Sequence, residues 1–144
     1  MSAATNRHAN LEQICHKFDV AILYAFGSRA GEVREWLEGR RAELAPGPSD
    51  VDVGVKAAPG VHWSVKDKVH LAIELEDLLG CNRVDLVVLN TADPFLAEEI
   101  IRGERLYALD EYEADEYDLY VLRRAGDLAP LEHEWMSHIL GVEV

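Results

Sequence analysis

Several residue patterns that define common protein classes are missing from this sequence. Its 144 residues include only two cysteines, Cys15 and Cys81, whose distant positions match no metal-ligand spacing. The six histidines form no zinc-ligand pattern either. We therefore expect reduced thiols rather than a disulfide framework or a zinc module.

Long apolar runs are also missing. No stretch approaches the roughly 18 apolar residues that a membrane span needs. The N-terminus, MSAATNRHAN, lacks the basic-then-apolar order of a secretory signal. We expect a cytoplasmic protein that makes no membrane contact.

Positive charge is scarce in this chain. There are 14 Lys and Arg residues against 27 Asp and Glu residues, which gives a formal net charge of −13 at pH 7. Phosphate backbones repel so acidic a protein, and direct binding to DNA or RNA is not expected. The same charge would attract a basic protein, although acidity that merely keeps the chain soluble explains it equally well.

Apolar residues, in contrast, are plentiful enough for a core. They make up 49% of the chain, which we interpret as one domain over residues 1–144, with a core over about 10–109 and a helical appendage over about 110–144. The pattern predicts an α/β (α+β) fold, a small mixed sheet with helices packed mainly on one face. The predicted elements are a helix over 10–18, a strand over 20–26, a helix in the polar insert that follows, a strand over 50–55, a helix from Ser64 to Gly80, a strand over 83–89, a short helix capped by Asp93, a strand over 105–109 and a helical pattern from Leu119.

Two of the predicted helices come with predicted apolar faces. In the helix after Ser64 the stripe is expected to comprise Val65, Val69, Ala72, Ile73, Leu75, Leu78 and Leu79, and in the helix after Asp93 the inward residues are expected to be Phe95, Leu96 and Ile100. The first of these helices joins the second and third strands. Such a crossover connection predicts that those two strands are parallel neighbours.

A glycine and a serine follow the first strand. Gly27 and Ser28 would supply a tight turn with backbone N–H groups at a helix start, which is an arrangement that binds phosphate. Taken alone, the pair is far more typical of a plain strand-to-helix turn in which Ser28 caps the helix.

Three aspartates strengthen the phosphate interpretation. Asp50 and Asp52 are two residues apart in a strand pattern, so their side chains share one face. Asp85 lies in the next predicted strand among apolar neighbours, where pairing with Arg83 is the alternative explanation. Carboxylates held together repel unless a divalent cation lies between them, and oxygen ligands suit magnesium or manganese.

The ordered set Gly27-Ser28, Asp50 and Asp52, then Asp85 resembles the nucleotidyltransferase superfamily with a DNA polymerase beta-like catalytic core. The stretches YAFGSRA and SDVDVGV, with the run VDLVVLNTADPFLAEEIIRGERLY, look most like the minimal nucleotidyltransferases. Many of those are the antitoxin half of HEPN/MNT toxin–antitoxin pairs, the MntA type. The resemblance covers about residues 20–109.

This resemblance implies a reaction and its residues. It implies transfer of AMP from ATP to a hydroxyl, with two Mg²⁺ ions held by Asp50, Asp52 and Asp85, and with Mn²⁺ as the alternative metal. Gly27 and Ser28 would hold the departing pyrophosphate, and Arg29 is a further candidate for the same phosphates. The implied acceptor is a tyrosine of a cognate HEPN ribonuclease toxin.

The sequence departs from the family between the two motifs. Ser28 and Asp50 have 21 residues between them, whereas the family's connection is usually shorter. We interpret the insert GEVREWLEGRRAELAPGP as an extended helix followed by a Pro-Gly-Pro turn.

Three other functions stay open at this point. They are an antitoxin that acts by steric cover without catalysis, an adenylyltransferase acting on a small molecule, and an acid cluster that binds no nucleotide. The C-terminal segment, with Tyr112, Tyr117, Tyr120 and Trp135, either packs over the sheet or forms a surface for a partner or for self-association.

Overall fold

The structure is a computed structural model that describes the backbone of residues 2–47 and 50–140, with side chains as far as residue 126. Its strands are β1 (Val20–Phe26), β2 (Val51–Ala57), β3 (Val84–Val88) and β4 (Glu104–Ala108). Its helices are α1 (Ala3–Lys17), α2 (Ala30–Leu37), α3 (Val65–Leu79), α4 (Pro94–Ile101) and α5 (Glu111–Leu140). In the described part of the chain, no helix is long and apolar enough to cross a membrane.

The four strands form one mixed sheet in the order β3-β2-β1-β4. β1 is antiparallel to both of its neighbours, β2 and β4, while β2 and β3 are parallel. The predicted fold class and the predicted parallel pair are therefore confirmed. The crossover between that pair runs through α3, as the sequence pattern indicated.

Helices cover both faces of this sheet, which corrects the prediction that they pack mainly on one face. On one face α1, α2 and α3 enclose a cluster that includes Leu23, Val53 and Leu75. On the other face α4 and α5 enclose a second cluster around Tyr24 and Ile100. Strand side chains alternate between the two faces, so β1 contributes to both clusters and is buried along almost its whole length.

Helix ends follow the predicted capping signals, but the buried face of α3 differs from the predicted stripe. Ser64 and Asp67 form a reciprocal capping box, and Gly80 ends α3 in the left-handed conformation. The residues of α3 that are buried are Leu71, Leu75 and Leu79, whereas Val65, Val69 and Ile73 are exposed. The prediction was wrong for those three because the apolar surface of α3 is wider than the face that the sheet and α1 cover.

The polar insert between β1 and β2 is not an extended helix, which corrects the prediction. α2 ends at Leu37 in a Schellman motif, in which the N–H of Gly39 donates to the carbonyl of Trp36 and the N–H of Arg40 to that of Glu35. Gly39 has a φ of +77°, a conformation that favours glycine. Irregular chain then follows as far as residue 47, and the Pro-Gly-Pro turn falls partly on residues 48 and 49, which lie outside the described residues.

An arginine from α1 supports this irregular segment. Arg7 donates hydrogen bonds to the carbonyls of Trp36, Arg41 and Ala42, at 2.6, 2.9 and 2.9 Å, and its guanidinium lies 4.5 Å from the Trp36 ring centroid. Leu44 is buried in the core at the far end of the segment. α1 is long enough for this contact because it begins at Ala3, capped by Ser2, rather than at the predicted residue 10.

The C-terminal half shows three further differences. Asp93 caps α4 as predicted, and Ile100 is buried as predicted, with Leu96 partly buried against the second cluster. Phe95 is 41% exposed, which corrects its predicted inward position, and Ala97 is buried instead. The helical pattern predicted from Leu119 begins eight residues earlier, at Glu111. Trp135 lies outside the side chains that the structure describes.

A polar contact fastens α5 to the sheet. Arg105 of β4 forms ion pairs with Glu111, Asp115 and Asp118, at 3.1, 2.7 and 3.2 Å. Asp118 also accepts a hydrogen bond from the hydroxyl of the fully buried Tyr24. The first two turns of α5 are therefore held against the sheet, while Tyr112 and Tyr120 remain exposed.

Candidate active site

The turn after β1 is built around one glycine. Residues 27–29 form a short 3-10 turn that leads directly into α2. Gly27 has a φ of +75°, and a Cβ atom added to it would lie 2.5 Å from Oδ2 of Asp52. Glycine therefore suits this turn in two ways, because it adopts the positive φ and leaves the Asp52 carboxylate in its observed position.

Two of the three predicted acids face each other across the parallel strands. Asp52 of β2 is in direct register with Asp85 of β3, so the two side chains extend from the same face of the sheet. Asp50 lies immediately before β2, and its Oδ2 is 3.6 Å from Nε of Arg83. Arg83 therefore pairs with Asp50 rather than with Asp85, the alternative considered from the sequence.

The acids act on one another electrostatically. The pKa of Asp52 is raised above its ordinary value, chiefly because burial disfavours its charge and further because Asp85 and Asp50 repel it. Glu99, on the exposed side of α4, adds to the same repulsion. A cation placed among these carboxylates would relieve that cost.

The three carboxylates of Asp50, Asp52 and Asp85 are chemically suitable ligands for a divalent metal ion. All three side chains offer carboxylate oxygens, which are the ligands that Mg²⁺ and Mn²⁺ prefer. In the part of the chain that the structure describes, no three His, Cys, Asp or Glu side chains are drawn close enough to hold a metal ion. Carboxylates that repel one another separate, so the cation itself would have to draw these three together.

Arg29 is held by the insert. Its Nη2 atom lies 2.9 Å from Oε1 of Glu32 and donates a 2.7 Å hydrogen bond to the carbonyl of Ala45. The hydrogen bond from Arg29 keeps the pKa of Glu32 below its ordinary value. A recess of about 260 Å³ opens beside Arg29, between residues 43–47 and residues 80–82. In this arrangement Arg29 shapes the insert, and its predicted contact with phosphate stays a prediction.

Sequence reasoning missed three charged residues of this region. Glu99 lies near enough to Asp52 to influence its pKa, Arg83 pairs with Asp50, and Glu32 binds Arg29. The spacing of Glu32, three residues after Arg29 at a helix start, was the one local signal available. The other two contacts depend on strand register and on the packing of α4, which no short motif encodes.

Comparison with known proteins gives a family and a fold. Residues 9–112 match the family model described as polymerase beta, nucleotidyltransferase. No curated protein matches the chain.

Three solved structures resemble the fold closely. A toxin–antitoxin structure with AMP-PNP matches at 16% identity and a TM-score of 0.68, covering 92% of this chain and 98% of that one. A tri-AMPylated Shewanella oneidensis HEPN toxin in complex with MNT antitoxin matches at 15% identity and a TM-score of 0.65, covering 95% and 98%. An MntA-HepT toxin–antitoxin structure matches at 15% identity and a TM-score of 0.64, covering 94% and 98%. At these identities the similarity establishes the fold.

The family match spans most of the chain and includes every strand of the sheet. It also includes the glycine turn and all three aspartates. The chain therefore belongs to the polymerase beta nucleotidyltransferase family.

Proposed function

We propose that this protein is an ATP-dependent adenylyltransferase that modifies a hydroxyl of a protein partner. The observation that carries the proposal is the in-register pair Asp52 and Asp85, with the Asp52 carboxylate against the turn at Gly27. A glycine turn with free N–H groups thus lies beside carboxylates at one end of β2, in a chain that belongs to a nucleotidyltransferase family, and this arrangement supports a phosphate-binding role for the turn.

The chemistry follows from the placement of these groups. The oxygen of the acceptor hydroxyl would form a bond to the α-phosphorus of ATP, and the bond from that phosphorus to the bridging oxygen would break and release pyrophosphate. Asp50, Asp52 and Asp85 would hold Mg²⁺. When bound, Mg²⁺ supplies charge stabilisation for the attacking and leaving oxygens. Asp85, the exposed acid, would accept the hydroxyl proton, and the N–H groups of the turn at Gly27 and Ser28 would hold the pyrophosphate.

A HEPN toxin is the partner class that we propose. Similar folds occur in structures of HEPN toxin with MNT antitoxin, one of them with a tri-AMPylated toxin. A net charge of −13 would favour association with a basic protein. Within that complex the acceptor would be a tyrosine hydroxyl, and its adenylylation would silence the toxin.

The test is intact-mass spectrometry of a HEPN protein from the same genome after incubation with this chain, Mg²⁺ and ATP. The matched control is the double variant Asp50→Asn, Asp52→Asn, which preserves side-chain shape and removes two charges. A mass increase of one or more adenylyl groups with the wild type alone would support the proposal. A partner that binds stably yet gains no mass with the wild type would overturn it.

A steric antitoxin is the second candidate, and a specific surface favours it. Tyr112, Leu119, Tyr120 and Leu122 of α5 are exposed, and this surface does not include the acids. Under this alternative the Asp50→Asn, Asp52→Asn variant would still neutralise the toxin in cells. Under the catalytic proposal the same variant would lose neutralisation.

A further inference from the structure

Two adjoining recesses lie between the sheet and α5, at the end of β2 opposite to the acids. One, of about 210 Å³, is lined by Lys56, Asn90 and Arg124 over an apolar floor. The other, of about 390 Å³, is lined mainly by apolar residues such as Ala21 and Ile22. Lys56, Tyr117 and Tyr120 belong to both recesses and mark the boundary between them.

Two adjacent aromatic rings lie between two cations at this boundary, in the order Lys56, Tyr117, Tyr120 and Arg124. Nζ of Lys56 is 5.2 Å from the Tyr117 ring centroid, and the Tyr117 and Tyr120 centroids are 6.4 Å apart. Cζ of Arg124 is 5.6 Å from the Tyr120 ring centroid, and its Nη1 donates a 3.3 Å hydrogen bond to the Tyr120 hydroxyl. The row therefore offers two positive charges and two ring faces within one small volume.

The two cations have no acidic counterpart in the smaller recess. None of its lining residues is an acid, and neither Lys56 nor Arg124 forms an ion pair with a carboxylate among the described residues. The positive potential there would favour a bound anion, and the side-chain amide of Asn90 offers a further donor.

The larger recess has the opposite electrostatic character. Asp110, Glu113 and Glu116 line it together with its apolar residues. These carboxylates would repel an anion and accept hydrogen bonds from N–H groups of a ligand. A molecule that fills both recesses would therefore be anionic at one end, and flat, with N–H donors, at the other.

This site is separate from the acid site. Lys56 is opposite Ile22 in the sheet, while Asp52 is opposite Phe26, so the two are about 13 Å apart along β2 at the usual rise per residue. Ile100 of α4 fills the space between them, because a Cβ atom on Gly54 would lie only 2.4 Å from its Cγ2. A ligand at Lys56 would therefore make no contact with Asp52.

We propose that the two recesses together bind a nucleoside monophosphate, with its phosphate at Lys56 and Arg124 and its base on the Tyr117 and Tyr120 side. The amino group of a purine would donate hydrogen bonds to the carboxylates of the larger recess, and the tyrosine rings provide stacking surfaces for the base. The inference does not depend on the proposed transfer reaction, because it involves neither the acids nor a metal.

The experiment is calorimetric titration of AMP into the full chain in the presence of EDTA. We expect saturable binding of one AMP, and an affinity at least about tenfold lower in the Lys56→Gln, Arg124→Gln variant, because two charge-assisted contacts are lost. Inorganic phosphate should bind more weakly than AMP because it lacks the base.

Two control variants locate the binding. Lys66→Gln, Arg123→Gln removes the same charge from exposed positions outside both recesses and should leave the affinity unchanged. Asp52→Asn should also leave it unchanged. If the Lys56→Gln, Arg124→Gln variant fails to fold, Arg124→Gln alone, at an exposed helix position, should still lower the affinity.

Any of three results would overturn the proposal. One is the lack of saturable AMP binding to folded wild-type protein at millimolar concentration. A second is an affinity loss in Asp52→Asn as large as that in Lys56→Gln, Arg124→Gln. The third is equal affinity for AMP and inorganic phosphate, which would show that the site takes a simple anion only.

Discussion

The contact between Gly27 and Asp52 leaves no room for a larger residue. Gly27→Ala would place a Cβ atom 2.5 Å from the Asp52 carboxylate and would also retain an unfavourable φ of +75°. We expect a loss of about 1 kcal/mol in unfolding free energy from the backbone conformation alone, together with a loss of nucleotide transfer as Asp52 is displaced. Denaturant unfolding and a transfer assay measure the two effects.

Gly60 provides the matched control for that substitution. It has a φ of +81°, and a Cβ atom added there would meet nothing within 4 Å. Gly60→Ala should therefore reproduce the backbone cost without the loss of activity. Equal transfer rates in the two variants would contradict a role for the contact between Gly27 and Asp52.

The raised pKa of Asp52 predicts a stability gain when its charge is removed. When the pKa of a carboxyl is higher in the folded than in the unfolded state, the protein becomes less stable as the pH rises above the ordinary pKa of that carboxyl, which is 3.8 for Asp52. Asp52→Asn should therefore raise the free energy of unfolding at pH 7 by about 0.5 kcal/mol, a small value because solvent screens this partly exposed group.

Urea unfolding in EDTA across a pH series measures this gain. The advantage of Asp52→Asn over wild type should shrink as the pH is lowered toward 3.8. Glu12→Gln, at an exposed position of α1, is the charge-matched control and should show no comparable gain. A less stable Asp52→Asn variant at pH 7 would contradict a destabilising role for the buried charge of Asp52.

Residues of the site differ in how far the sequence predicted them. Side-chain alternation and the crossover connection sufficed to bring Asp52 and Asp85 together, because both follow from general properties of parallel strands. The contacts of Arg29 could not be predicted in the same way. Ala45 reaches Arg29 and Glu32 only because the insert folds back onto the start of α2. An irregular segment lacks the residue periodicity of a helix or a strand, so the sequence pattern does not predict its contacts.

At the scale of elements, the insert after α2 depends on a single side chain from α1. Arg7→Met should remove the hydrogen bonds to the carbonyls of Trp36, Arg41 and Ala42. Bonds to a charged group contribute about 1.5–3 kcal/mol, so we expect amide exchange in residues 38–47 to accelerate at least about tenfold. Hydrogen exchange with mass spectrometry measures this directly.

Arg40→Met is the control for the insert. Arg40 is exposed, and its side chain contacts only Glu38 among the described residues, so exchange in the same segment should remain close to that of the wild type. Unchanged exchange in Arg7→Met as well would mean that the buried Leu44 and the Schellman motif hold the segment by themselves.

The predictions for α2 and α3 were wrong for different reasons. The end of α2 was encoded locally, since Gly39 in the sequence EGRR is a typical C-terminal signal that the extended-helix interpretation passed over. The buried face of α3 was not encoded locally. Its ridge of Val65, Val69 and Ile73 has the same spacing as the buried ridge of Leu71, Leu75 and Leu79, so only the packing partners distinguish them.

For the whole molecule, the net charge of −13 predicts a response to salt. Raising the ionic strength from about 0.01 M to about 0.15 M shortens the Debye length from about 30 to about 8 Å, which screens repulsion among the acids. We expect the melting temperature of the free protein to rise, as measured by circular dichroism at pH 7.

A less acidic variant tests the cause of that salt response. Glu12→Gln, Glu43→Gln removes two exposed negative charges and should show a smaller increase in melting temperature. A decrease with salt in the wild type would mean instead that ion pairs such as those of Arg105 with Glu111 and Asp115 outweigh the general repulsion.

The pairing of β1 with β4 also fixes the order in which the protein can assemble during synthesis. Ile22 pairs with Ala108, so one flank of the most buried strand stays open until residue 108 has been synthesised. By then the ribosome has already made Gly27, Asp52 and Asp85. Every group of the candidate active site is therefore present in the nascent chain before the sheet can close, and folding through such distant pairings is slow. A growing chain thus carries the groups of its candidate active site through a period in which β1 exposes an unpaired edge.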